Sequence, residues 1–153
     1  MTTQLRDIGS LVSVRRAAAN TAVTAGGAGD NALVTGVIID RAALGWPESA
    51  VLAIPFTATL GASETLTIGY TVQEGNNSGL SDQQTLRTAS PAVVTSGPGG
   101  GGTVTGTFEI DLNLRGAGRY VRANWTPDLS RANTDTAALA AVMVFGGANR
   151  LPQ

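Results

Sequence analysis

The sequence predicts an all-β domain, an antiparallel β-sandwich or jelly-roll-like barrel, and three observations lead there. First, residues 65–73 alternate strictly, with Leu66, Ile68, Tyr70 and Val72 on one face and threonines opposite. Side chains two apart share a face of a strand, so this is a half-buried antiparallel strand. Second, residues 103–114 repeat the pattern, with Val104, Phe108, Ile110, Leu112 and Leu114 in phase against Thr105, Thr107, Glu109, Asp111 and Asn113. Third, runs of Gly, Asn, Ser and Pro separate the apolar segments at regular spacing, which suits roughly eight short strands with little helix.

Taken in order, residues 1–30 lack a sustained core pattern and contain Ala25-Gly26-Gly27-Ala28-Gly29, so an extended N-terminal arm is expected there. Residues 31–153 are expected to form a single β domain. Within the arm, 11–16 is a short alternating stretch. Residues 32–40 carry Val34, Val37, Ile38 and Ile39 and read as a strand. Residues 49–60 are apolar until Pro55, which lacks an N–H and marks an edge or a bend. Further strands are expected at 91–95 and 119–126. Residues 137–145 open as Ala-Ala-Leu-Ala-Ala, which would suit a helix, but end in Val142-Met143-Val144-Phe145 and are assigned as strand. Gly106 falls on the apolar face of its strand and marks a bulge or a close backbone approach. The link Arg115-Gly116-Ala117-Gly118 reads as a tight hairpin, and Gly97 to Gly102 as a flexible hairpin connector.

The composition excludes more chemistry than it suggests. The chain of 153 residues contains no His and no Cys, and its ten basic residues are all Arg. Zinc, copper and iron ligand sets, thiolate chemistry, Schiff bases and a P-loop lysine are therefore out of reach. Charged residues are only 14% and the net charge is -1, so nothing draws the chain to nucleic acid or a charged membrane surface. No apolar run approaches the length of a transmembrane helix, and the first residues have no apolar segment of a secretory signal. No cofactor, metal or catalytic residue is expected, and the protein is read as a non-enzyme that works through its surfaces.

Each chemical motif has a plainer reading. The glycine run 97–102 leads into a strand and lacks the lysine or helix of a phosphate loop. Asp111-Leu112-Asn113-Leu114-Arg115-Gly116 mimics half an EF-hand loop, but the twelfth position is Arg122 where a glutamate is required. Glu109 and Asp111 are the one carboxylate pair that could serve hydrolysis; at that spacing on a strand they form a solvated, partner-facing pair. Arg115, Arg119, Arg122 and Arg131 lie near Tyr120 and Trp125, an arrangement that could stack on bases. The neutral balance and the nearby Asp111, Asp128 and Asp135 favour fixed ion pairing instead. Trp125, Tyr120 and Asn124 could also line a sugar platform, although core packing is the stronger reading for two aromatics of opposite strand phase. The two sequons, at Asn76 and Asn124, are read as accidental.

A resemblance enters with the C-terminal half. The run Val93 to Thr103, then Glu109-Ile110-Asp111-Leu112, Gly118-Arg119-Tyr120-Val121-Arg122, Trp125-Thr126-Pro127-Asp128-Leu129-Ser130, Thr134-Asp135-Thr136-Ala137 and Phe145-Gly146-Gly147 resembles, in order and spacing, the capsid decoration (cement) proteins of tailed bacteriophages and phage-like gene transfer agents. Glu64 to Thr67 followed by Ser81-Asp82 is similar in layout, so the resemblance covers about residues 35–152. It implies a virion protein on the outer capsid surface that bridges neighbouring major capsid protein subunits, often as a homotrimer. The alternative is a tail, neck or fibre-base subunit, or a small receptor- or glycan-binding module of the virion. Capsid or oligomer contacts are expected at Arg6, Arg15 and Arg16 of the arm and at Trp46, because these lie outside the period-two core.

Overall fold

The computed structural model describes residues 8–130 and 134–148. A single helical turn, α1 (Ile8–Leu11), precedes β1 (Ser13–Thr24) and β2 (Ile39–Asp40). A 3-10 turn (Ala42–Leu44) then leads into β3 (Pro47–Leu60), β4 (Thr65–Gly75), β5 (Gln84–Ser96), β6 (Gly102–Asn113), β7 (Tyr120–Leu129) and β8 (Thr136–Ala148). Two four-stranded sheets result, ordered β1-β8-β3-β6 and β2-β7-β4-β5. The pairing is antiparallel and nested: first with last, second with seventh, third with sixth, fourth with fifth. That wiring is an eight-stranded jelly roll, so the expected sandwich is the observed one.

The alternation read from the sequence supplies the core. Leu52, Ile54, Ala58 and Leu60 of β3, Leu66, Ile68 and Val72 of β4, and Leu139, Met143 and Phe145 of β8 all point between the sheets and are buried. Trp125 of β7 is fully buried beside its register partner Tyr70, whose ring meets Phe108 edge-on at 6.2 Å. Gly106 is the close approach its phase suggested. A Cβ there would lie 2.8 Å from Cζ of Phe56, so the ring occupies the space of the missing side chain.

The structure corrects the sequence reading in four places. Residues 13–24, assigned to an arm, are an edge strand of the first sheet, with Ala17, Ala18 and Val23 in the core. Two register shifts, between Arg16 and Ala18 and between Ala18 and Thr21, break the period-two signal there. Of the expected strand 32–40 only Ile39–Asp40 is regular. The rest runs antiparallel beside β7 without a continuous ladder, and Val34 exchanges backbone hydrogen bonds with Trp125 at 2.8 and 3.1 Å. Gly36 permits that close approach, since a Cβ there would stand 2.0 Å from the Ala123 carbonyl oxygen.

Pro55 does not mark an edge. Strand β3 is central, and its pairing with β8 lapses between Ala53 and Phe56, where the proline ring has no N–H to give. Neither glycine-rich link is a hairpin: 97–101 carries the chain from β5 in one sheet to β6 in the other, and 114–119 carries it back to β7. Among the strands only β4 and β5 are consecutive partners. Strand β5 is longer than the expected 91–95 and tolerates Pro91 because it is an edge.

Candidate interaction surfaces

Several polar groups that could do chemistry are used inside the fold. Arg41, invisible in the sequence as anything but one more arginine, is 3% exposed. Its Nη1 donates to the carbonyls of Ala117 and Gly118, and its Nη2 to those of Pro47 (2.7 Å) and Leu114 (2.9 Å). The guanidinium thereby ties the β6–β7 crossing to the start of β3, and burial pushes its pKa down while the charges of Glu74 and Glu48 oppose the shift. The same guanidinium lies 5.7 Å over the Trp46 ring, which a left-handed backbone (φ 57°) after Gly45 turns outward.

Three other arginines are held by side chains of neighbouring segments. Arg119 makes a two-point bridge to Asp40 at 3.0 and 2.8 Å and covers Tyr120 at 5.2 Å. Asp40 is held below the usual carboxylate range, first by that side-chain bond and then by the Ala42 N–H, with burial opposing. Arg115 meets Glu48 at 3.1 Å, and Arg122 donates to Gln73 and Gln83. Arg131 lies outside the described residues. With Trp125 fully buried and Asn124 bonded to Gly36 and Gln73, neither the base-stacking nor the sugar-platform reading has its aromatic surface. No cluster of metal-ligating side chains occurs among the described residues, and no helix among them is long and apolar enough to cross a membrane.

What remains is surface. Arg6 lies outside the described residues. Arg15 and Arg16 are exposed on β1, and Trp46, 41% exposed, sits at the entrance to β3, so the structure leaves these expected contacts on separate elements. Leu33, Val37 and Val93 are also exposed hydrophobics. Strand β5 is exposed along most of its length as the free edge of its sheet, and three register irregularities and Pro91 roughen that edge against indiscriminate pairing. Glu109 and Asp111 are exposed on the outer face of the first sheet, in register with Ala53 and Val51. Near them on the same face is an open depression of about 440 Å³, bordered by Ala22, Pro55, Thr57 and Ala138. It is lined by small and apolar side chains, without a titratable group.

The jelly roll defines the architectural class, which hosts many unrelated functions. No family model matches the chain, and no curated protein does. Among solved structures, the chain is similar to a chain in the structure of infectious bursal disease virus, Gx strain, at 14% identity and a TM-score of 0.48. That match covers 92% of this chain and 33% of the viral one. The chain thus spans about a third of the length of the viral chains it matches. It is also similar to an adhesin domain of Lys-gingipain from Porphyromonas gingivalis (10% identity, 88% and 74% covered, TM-score 0.44). A third likeness is to a carbohydrate binding module of a Cellvibrio mixtus lichenase (12% identity, 90% and 98% covered, TM-score 0.38).

Proposed function

We propose that this protein is a virion structural subunit, a capsid decoration protein that lies on the outer shell and bridges neighbouring major capsid protein subunits without catalysing a reaction. The observation that carries the reading is the distribution of its groups. Trp125 and Arg41 are built into the fold, while the exposed residues are isolated hydrophobics, a long open edge strand and a sparsely charged sheet face. The resemblance over residues 35–152 supplies the viral context. Bridging of this kind works by avidity, in which modest contacts per copy are multiplied by self-association and lattice symmetry. Self-association belongs to the reading, and the resemblance implies a homotrimer.

Binding to shells is the test. Because residues 13–24 are an edge strand that places Ala17, Ala18 and Val23 in the core, a deletion reaching into them would disrupt the sheet. The informative variants instead are removal of residues 1–7 and the pair Arg15→Glu with Arg16→Glu. The reading expects folded protein with reduced capsid occupancy. Full occupancy in both would remove the arginine contacts, and absence of the wild-type chain from the shell would remove the function. A copy number of about a dozen or fewer per particle would favour a tail, neck or fibre-base subunit instead.

A further inference from the structure

The outer face of the β1-β8-β3-β6 sheet carries a pattern that neither the fold nor the capsid reading requires. Residues directly paired across antiparallel strands share a face, so the register can be read in rows. One row runs Val14, Val144, Val51, Asp111, and the next runs Arg16, Val142, Ala53, Glu109. Farther along come Ala22, Ala138, Thr57, Thr105 and then Thr24, Thr136, Thr59, Thr103. In these rows the two central strands, β8 and β3, present only Val, Ala and Thr. The charges stand at the two edges, cationic on β1 and anionic on β6. Arg16 donates its Nε to the Ala18 carbonyl at 2.9 Å, and neither it nor Glu109 has an ion-pair partner among the described residues.

We propose that this face is the contact between two copies of the chain, stacked sheet on sheet about a twofold axis parallel to the strands and passing between β8 and β3. Such an axis reverses the strand order and preserves the level along the strands. It therefore sets β1 of one copy over β6 of the other, and in the shared row Arg16 of each copy faces Glu109 of its partner. The match occurs twice, as an isologous interface demands, and the valines and alanines of the central strands close against each other between the two ion pairs. The offset of about 30° usual for stacked sheets moves the edge residues by about 4 Å, within the reach of an arginine side chain. Four strands about 4.8 Å apart and roughly 30 Å of strand give a face on the order of 600 Å², near the ~800 Å² per partner of ordinary stable interfaces. A flat apolar surface of another protein would cover the centre, but it would not explain opposite charges placed at equal height on opposite edges. This contact is independent of the virion reading and distinct from a threefold one.

The test is sedimentation equilibrium of the full chain from about 1 to several hundred micromolar, with circular dichroism confirming that each variant is folded. A reversible association is expected. Arg16→Glu and Glu109→Arg should each weaken it by at least ~10-fold, because each sets two like-charge pairs face to face. Their combination should return the affinity to within about threefold of wild type, since the swapped charges again meet their opposites. Val144→Glu, at the centre of the face, should leave monomer. A chain that stays monomeric throughout, an association indifferent to Val144→Glu, or a double reversal no better than the single ones would each overturn the proposal.

Discussion

Replacing Arg41 with methionine removes the guanidinium and keeps much of the side-chain volume. Four backbone carbonyls lose their donor; those of Pro47 and Leu114 are buried, and those of Ala117 and Gly118 partly so. An unsatisfied buried acceptor costs about 1–3 kcal/mol, whereas one that water reaches costs much less. The bonds to Ala117 and Gly118 are only partly buried, so water can replace the donor there. The two inner carbonyls then dominate, and the loss of stability should be about 3–5 kcal/mol, the range for breaking a buried charged network. With a urea slope near 2 kcal/mol/M for a domain of this size, the unfolding midpoint should fall by about 1.5–2.5 M. Arg41→Lys should recover less than half of the loss, because an ammonium lacks the planar fork that reaches four acceptors. A midpoint shift below about 0.5 M for the methionine variant, equivalent to ~1 kcal/mol at that slope, would refute the view that Arg41 fastens the β6–β7 crossing to β3.

Other positions yield further expectations. Trp125→Ala should lower stability by about 3–5 kcal/mol, the range for emptying a buried tryptophan site, as read from urea unfolding. Gly106→Val should cost about 1–3 kcal/mol by pressing on Phe56, and Phe56→Leu in the same chain should return part of that. Asp40 has a folded pKa below its ordinary 3.8, so its pairing with Arg119 is complete above about pH 4 and is lost as pH falls through the lower folded value. Asp40→Asn should therefore flatten the acid limb of stability against pH by less than ~1 kcal/mol, as expected for a largely exposed pair. Asp82, whose carboxylate accepts from the Asn76 and Asn77 amides, is likewise held below 3.8. In an NMR titration those two amides should shift together with it at acid pH, and independent titration would exclude the link.

What the sequence revealed and what it hid follow from the period of the signal. Strands β4, β6 and β8 are regular and pack one face on the core, so Leu66 to Val72, Phe108 to Leu112 and Leu139 to Phe145 announce themselves by alternation. Strand β1 has bulges and small alanines, and its core contribution looked like an arm. Residues 32–38 run antiparallel beside β7 with an interrupted ladder, and their valines do not alternate. The topology was illegible for another reason: Arg115 to Gly118 has the chemistry of a hairpin turn, yet it crosses between sheets. What directs it is Arg41, more than seventy residues earlier in the chain. The expected contacts at Arg15, Arg16 and Trp46 were chosen for lying outside the alternating pattern. They are exposed, but no local signal showed that Arg16 shares a row with Glu109, because that depends on three long-range registers.

The central claim is that this roll works as part of a viral shell, and the most direct measurement is a reconstruction of particles from a virus that carries this chain. The account predicts density shaped as an eight-stranded sandwich on the outer capsid surface, straddling adjacent subunits, at on the order of hundreds of copies per particle. A shell without that density would contradict it, as would confinement of the chain to the tail.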